Sequence, residues 1–336
     1  MTPLEPLLAA YRRLPGHARG LLLVVVSTIA FAVMQALIRY TTRTEHPFEV
    51  VFFRNLFGLI ALAPFFLRAG RGVFRTKRLH HHALRNFMHL GSMMMFFYGV
   101  SLTPLATVSA LSFTSPLFAA LLAILLLRER IRVRRIVALV IGFVGTLIII
   151  RPGVIELQPG SLMVLGSSFI WGVVMINIKS LGSSESSLTS TAYMAVIMTP
   201  LSIIPALFHW TGPTLGVLGC LAAMGVLGTI AHIALAQAFR EAEATAVLPA
   251  DFLRMLWAAL LGFLFFGEVP EELVWVGGAM IFGATIYIAY RESRLARPPL
   301  AAAIGPEPAA LPVVDRPMPP DAGSGPSQPE RGPRAP

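Results

Sequence analysis

The sequence predicts an all-α membrane protein that crosses the bilayer about ten times. Of its 336 residues, 55% are hydrophobic and only 13% are charged, and the mean hydropathy is +0.71. Since about a quarter of the residues in a soluble domain are charged, this composition excludes an ordinary soluble enzyme. Apolar segments of about 20 residues, the length that a membrane-spanning helix needs, recur along almost the whole chain.

Ten apolar segments, here called spans 1 to 10, leave no room for a separate soluble catalytic domain. We interpret span 1 as a retained helix and not as a signal peptide, because its apolar stretch is too long and no Ala-x-Ala-like cleavage site follows it. The spans lie at about residues 20–38, 50–67, 86–102, 105–127, 136–150, 160–178, 188–208, 214–238, 246–266 and 273–290.

Positive charge is distributed unevenly between the loops. With the N-terminus in the cytoplasm, nineteen Lys and Arg residues lie in segments expected inside and three in segments expected outside. This bias predicts a multi-pass membrane protein with both termini in the cytoplasm. It also explains the net charge of +10 as a topology signal, so we expect no nucleic-acid partner.

An internal repeat divides the chain into two halves of five spans. Residues 27–40 align without gaps with residues 167–180, and residues 109–130 align with residues 248–269. The two offsets, 140 and 139 residues, agree. Because five is odd, the halves must insert in opposite orientations. Such inverted repeats, with a binding site between the halves near the middle of the bilayer, are typical of secondary transporters.

The repeat sets the predicted domain organisation. We expect a cytoplasmic lead over residues 1–19, a first five-helix repeat over residues 20–153 and a second over residues 154–297. Residues 298–336 are rich in Pro and Ala and show no apolar periodicity. We expect them to form a disordered cytoplasmic tail.

Several motifs give the chain a resemblance to a known family. They are HPFEVVFFRNLFGLI (residues 46–60), TPLATVSALSFTSPLFAALLAILLLRERI (103–131), GFVGTLIIIRPG (142–153), ADFLRMLWAALLGFLFFGEVPE (250–271) and GGAMIFGATIYIAYRES (277–293). With them, the chain resembles the drug/metabolite transporter superfamily, and within it the ten-helix carriers built from two EamA domains. The motif at residues 46–60 looks most similar to the bacterial S-adenosylmethionine uptake group, with riboflavin carriers close behind.

The resemblance implies a ten-helix bundle with a central cavity lined by both halves and transport by alternating access. It does not imply one substrate: S-adenosylmethionine, riboflavin, amino acids and drugs all stay open. No Walker motif, GxSxG elbow or HExxH helix occurs in the sequence, so neither ATP-driven transport nor a membrane-embedded hydrolase is indicated. We expect a transporter that uses no cofactor, with an integral-membrane enzyme as the less favoured alternative.

Charged residues inside the spans are the first candidates for substrate contact, because a charge at the centre of a bilayer costs about 2.5–3.5 kcal/mol and usually faces the bundle interior. Arg254 lies about eight residues, or about 12 Å, into span 9. Asp251 precedes it at the i, i+3 spacing that allows pairing. The pair would bind a charged or zwitterionic substrate, with Asp251 also taking up a coupling proton, or it would be a purely structural ion pair.

Five further residues complete the predicted site. Arg54 lies six or seven residues from the outer end of span 2, a depth from which its side chain could also extend outward. Gln35 and Asn177 lie at similar depths in the two halves. Phe31 and Trp171 are matched by the repeat and suited to stacking on a planar ring. Interhelical packing or a single hydrogen bond is the alternative role for each of these last four.

The predicted partners are therefore a small-molecule substrate, the lipid bilayer and protons. The default role of the glycines in spans 5, 8 and 10 is to let neighbouring helices pack closely. Since such glycines suit contacts within one chain and between two copies equally well, a homodimer stays open as an alternative.

Overall fold

The computed structural model describes at least part of every predicted span. The predicted tail, residues 298–336, and residues 1–13 of the predicted lead lie outside the described part. The described residues are 14–70, 76, 78–127, 133–152, 158–182, 187–242, 247 and 250–295.

The regular elements of the described residues are α-helices, in accord with the predicted fold class. A helix satisfies its own backbone hydrogen bonds, which lipid cannot do. The eleven helices of the described part are α1 (Gly16–Thr41), α2 (Pro47–Ala69), α3 (Leu79–Leu102), α4 (Leu105–Ser112), α5 (Ser115–Leu127), α6 (Val133–Ile150), α7 (Pro159–Gly182), α8 (Ser187–Leu207), α9 (Leu215–Glu241), α10 (Leu253–Phe266) and α11 (Glu272–Leu295).

Six stretches of the described part are long and apolar enough to cross a membrane: α1, α2, α4 with α5, α7, α8 and α9. Three shorter apolar stretches lie in α6, α10 and α11. Helix α3 corresponds to predicted span 3. The outward faces carry large exposed apolar side chains, such as Leu67, Leu125 and Phe263. Such faces suit contact with lipid, so the described part is a multi-pass membrane bundle.

Helix α2 illustrates how the local sequence sets a helix boundary. It begins at Pro47, directly after His46, whose Nδ1 accepts a hydrogen bond from the backbone N–H of Phe48 at 3.3 Å. Proline is favoured in the first helical turn because its ring fixes φ and it has no N–H to satisfy. The helix ends before Gly70, which adopts a φ of 72°, a conformation that favours glycine.

Spans 4 and 9 are both interrupted, and at positions that the repeat matches. Phe113 and Thr114 separate α4 from α5, and a turn at Phe252 precedes α10. The rings of Phe113 and Phe252 lie 5.9 Å apart, so the two breaks face each other in the bundle. Interrupted helices of this kind commonly form the binding sites of inverted-repeat transporters.

The packing between helices shows the two-fold relation of the repeats. Helix α1 packs on α9 as α7 packs on α3, and α2 packs on α9 as α8 packs on α3. In the same way, α1 contacts α10 while α7 contacts α5. The pairs α2 with α8 and α6 with α11 are each self-matched. Exchange of the halves thus reproduces the main helix contacts, as an inverted repeat requires.

The contact between α6 and α11 depends on glycine. A Cβ atom on Gly145 would lie 2.7 Å from the carbonyl oxygen of Gly277, closer than real Cβ atoms approach. These two backbones therefore touch directly, as glycines in membrane helices permit. The glycines of this pair serve a contact within one chain and are not available for a contact between two copies.

Candidate functional site

The break in span 9 carries the predicted charged pair. An oxygen of the Asp251 carboxylate, Oδ2, lies 3.7 Å from Nη2 of Arg254, and the two side chains are only 21% and 18% exposed. At this distance the two groups attract each other without a close hydrogen bond. The other carboxylate oxygen of Asp251 and the Nε of Arg254 are buried and have no hydrogen-bond partner in the described part. Each residue of the pair therefore has a polar atom that could still form a hydrogen bond.

Two aromatic rings of the first half lie close to the guanidinium group of Arg254, which belongs to the second half. Its central carbon lies 4.7 Å from the ring centroid of Phe113 and 5.7 Å from that of Phe31. Both distances are within the range of cation–π attraction. The predicted ring Phe31 and the predicted cation Arg254 thus belong to one cluster.

Arg54 lies inside the bundle and does not extend outward. Its Nη1 donates a hydrogen bond to Oδ1 of its neighbour Asn55 at 3.1 Å. A Cβ atom on Gly228 of α9 would lie 2.9 Å from its Nη2, so the guanidinium group reaches across to α9. The glycine leaves room there that any other residue would fill. The Nε of Arg54 is buried without a hydrogen-bond partner among the described residues.

Two histidines contact the predicted aromatic and arginine residues. The site predicted from the sequence did not include them. His232 of α9 contacts Phe31 edge to face, with ring centroids 5.1 Å apart, and it interacts electrostatically with both Arg54 and Arg254. His89 of α3 lies 4.5 Å from Trp171, centroid to centroid, and interacts electrostatically with His232. The repeat matches Phe31 with Trp171, and each of the two aromatic–histidine pairs joins one half to the other.

The repeat relation offered a signal that could have found these histidines. Helices α3 and α9 occupy matched places, each beside the helix that bears a predicted aromatic residue. A polar residue inside both matched spans is therefore a better candidate than a polar residue inside one. We name the residues Phe31, Arg54, His232, Asp251 and Arg254 the central cluster.

The two predicted amides are engaged separately. Oε1 of Gln35, which is 2% exposed, accepts a hydrogen bond from the Ser109 hydroxyl at 2.9 Å. Asn177 donates its amide N–H to the backbone carbonyl of Val173, one turn earlier in the same helix, at 3.3 Å. Gln35 thus ties α1 to α4. No bond joins the two amides in the described part.

A cavity of about 160 Å³ opens between α2, α8 and α9. Arg54 and His232 line it, together with Ala195 of α8. Typical sites for organic ligands enclose about 300–1,000 Å³. The cavity must therefore widen to admit an organic metabolite, and the helices around it must move.

Comparison with known proteins identifies the fold that carries this cluster. The profile of the EamA-like transporter family matches residues 18–151 and again residues 158–290. The chain belongs to the EamA-like transporter family. Each EamA match spans one of the two halves that the internal repeat defines. The matches leave the residues beyond 290 outside the family domain.

Two curated relatives cover most of this EamA chain. An S-adenosylmethionine uptake transporter of Rickettsia bellii (strain RML369-C) is 32% identical over 273 residues, 81% of this chain and 93% of the relative. A riboflavin transporter of Vibrio cholerae serotype O1 is 29% identical over 286 residues, 83% of this chain and 95% of the relative. A solved crystal structure with 18% sequence identity covers 83% of this chain at a TM-score of 0.57 and supports the fold alone.

Proposed function

We propose that this protein is a secondary active transporter that moves a small polar organic metabolite across the bacterial inner membrane by alternating access. One observation above all supports the proposal. In the central cluster, Nε of Arg54, Nε of Arg254 and one oxygen of Asp251 are buried without a partner in the described part. Buried polar atoms are costly unless they are bonded, and a substrate with matching groups would supply the missing bonds.

The chemistry of the cluster indicates the substrate class. Guanidinium groups bind carboxylates through paired donors, the free oxygen of Asp251 suits an ammonium group, and the aromatic–histidine pairs suit a planar ring. S-adenosylmethionine carries all three features, and the relative from Rickettsia bellii bears its name. Its sulfonium charge is repelled by the two arginines, and Asp251 offsets that repulsion. Riboflavin, the second candidate, offers a planar ring but neither carboxylate nor ammonium.

The positive charges of the loops support the proposed orientation, and the carboxylate of Asp251 supports the proposed coupling. Nineteen Lys and Arg residues on one side and three on the other favour both termini in the cytoplasm. We propose that Asp251 takes up a proton during the cycle, so that a proton gradient drives transport. Exchange of one substrate for another is the alternative source of drive.

Substrate counterflow in proteoliposomes tests the proposed function. Vesicles loaded with unlabelled S-adenosylmethionine and diluted into a trace of labelled S-adenosylmethionine should accumulate label transiently above the equilibrium level. A carrier exchanges the two pools through one site, whereas a channel only equilibrates the label and an enzyme alters it. Vesicles loaded with riboflavin, and vesicles without protein, are the parallel arms.

The arms give separate outcomes. Overshoot with S-adenosylmethionine but not with riboflavin would establish the carrier and its substrate class. Overshoot only with riboflavin inside and labelled riboflavin outside would keep the carrier and replace the substrate. Label that equilibrates without overshoot, or that is recovered chemically changed, would contradict the proposed function.

A further inference from the structure

One buried carboxylate lies outside the central cluster and has no role in the proposed function. Glu49, in the first turn of α2, is 0% exposed. No cation of the described part lies within ion-pair distance of it. A buried charge of this kind is strongly destabilising unless hydrogen bonds compensate it.

Among the described residues, the hydrogen bonds to the Glu49 carboxylate come from the second half of the chain. Oε2 of Glu49 accepts hydrogen bonds from the backbone N–H of Thr211 at 3.0 Å and from the Thr211 hydroxyl at 2.6 Å. Oε1 accepts from the N–H of Gly212 at 3.3 Å. The same Thr211 hydroxyl also contacts the carboxylate of Glu45, which is 6% exposed. We name Glu45, Glu49, Thr211 and Gly212 the latch.

The latch joins two connections between helices. Glu45 lies between α1 and α2, and Thr211 and Gly212 lie between α8 and α9. The segment around Thr211 is exposed, and the two carboxylates beneath it are buried. Beside the latch, the rings of His46 and His209 stack with centroids 3.9 Å apart. Two sets of contacts therefore hold the same two connections together.

Two of the helices that the latch joins also carry residues of the central cluster. Arg54 follows Glu49 on α2 by five residues, about 8 Å at the rise of an α-helix. On the other side, α9 carries His232 of the cluster. The helices that line the cavity, α2, α8 and α9, are thus the helices whose ends the latch fastens. The cavity lies farther along these helices, since Thr229 follows Leu215 by about 21 Å at the rise of an α-helix, so separation of the two connections would open the bundle on the side of the latch.

We propose that the latch is the gate at this end of the bundle, and that the transporter opens there only when the bonds between Glu49 and Thr211–Gly212 break. This inference rests on the proposed function, because a gate has meaning only in a protein that admits a substrate. The donors of the latch all lie in one short segment, so a small displacement of that segment removes every bond at once. Water must then enter to solvate the two carboxylates, and this end of the bundle is then open to solvent.

Distance measurements between spin labels test the gate. Labels on Thr44→Cys and Gly216→Cys, in a Cys220→Ser background, report the separation of the two connections. Thr44 is exposed, and a side chain at Gly216 meets no atom within 4 Å. Glu49→Gln should lower the ratio of closed to open distances by about tenfold, the effect expected for loss of hydrogen bonds to a charged group. Thr211→Val, which removes only the hydroxyl, should give a smaller shift in the same direction.

Glu271→Gln is the matched control. Glu271 is also a carboxylate at this end, but its partner is Arg151 and not the latch, so the distances should stay as in the wild type. Wild-type distances in both Glu49→Gln and Thr211→Val, in protein that elutes as a single folded species, would overturn the gate. If the distances respond but the wild type shows no counterflow, the proposed function fails and the latch stands as a conformational contact.

The stacked histidines add a pH dependence to the same measurement. The pKa of His46 lies below its ordinary value because of burial and, next, because of the nearby His209, while Glu49 opposes the shift. The other titratable groups facing it are Glu45 and, from α3, Tyr98, whose ring centroid is 6.3 Å away. His46 is neutral at Nδ1, where it accepts a hydrogen bond.

Protonation of His46 is therefore easier in the open form than in the closed form. Above the ordinary histidine pKa both forms are neutral and the latch keeps its full stability, and as the pH falls below that value the closed form loses stability. The closed distances should become less populated between about pH 8 and about pH 5.5. His46→Asn, which keeps a capping side chain, should remove that change; the same pH response in His46→Asn would exclude His46 as its source.

Discussion

Arg254→Ala is expected to lower the initial rate of substrate uptake by about ten- to a hundredfold, the range that loss of one hydrogen-bonded charge contact predicts. The guanidinium group lies between the rings of Phe31 and Phe113, beside the carboxylate of Asp251. Its removal takes away a substrate donor and leaves Asp251 as an uncompensated charge. The bundle should persist, because Phe113 and Phe252 still pack against each other at the break.

Uptake of labelled substrate into proteoliposomes measures this effect. Arg43→Ala is the matched control, since Arg43 also lies over a phenylalanine ring, at 5.0 Å from that of Phe266, but outside the central cluster. Arg254→Lys should recover part of the rate, because it restores the charge without the planar donors. Normal uptake by Arg254→Ala would remove Arg254 from the site.

Arg54→Gln is expected to raise the KM for uptake by about tenfold with a smaller effect on the maximal rate. Arg54 reaches across to Gly228 and lines the cavity, so it would contact the substrate both in the bound state and during the conformational change. Glutamine keeps an amide that can bond Asn55 but loses the charge.

The KM follows from uptake rates over a range of substrate concentrations. Arg68→Gln is the control on the same helix, because Arg68 is exposed near the end of α2. An unchanged KM in Arg54→Gln would assign Arg54 a structural role. A KM raised equally in Arg68→Gln would indicate an effect of net charge and not of the cavity.

The repeat made much of the architecture predictable from the sequence. The alignment matches Phe113 with Phe252 and Phe31 with Trp171, and in the structure the first two face each other and the second two each contact a histidine. Hydropathy located the spans because a membrane helix must be apolar over a fixed length. It could not show the breaks in spans 4 and 9, since hydropathy reports the polarity of a segment and not its backbone conformation.

The environment of the charged residues was less predictable. The depth of Arg54 in span 2 was compatible with an outward side chain, and only the space left by Gly228 on a distant helix directs it inward. The latch could not be predicted from the sequence either. Glu49 belongs to the motif at residues 46–60, but its donors at residues 211 and 212 follow it by more than 160 residues. Single positions in a sequence carry no information on which loops meet.

The most direct test of the central claim compares uptake with and without an imposed pH step in the wild type and in Asp251→Asn. We expect saturable uptake of labelled S-adenosylmethionine by the wild type, faster when the pH step drives protons in the direction of uptake. That stimulation should be lost in Asp251→Asn and kept in Glu271→Gln, whose carboxylate lies outside the central cluster. Uptake by Asp251→Asn at the wild-type rate and with the same stimulation would contradict the account.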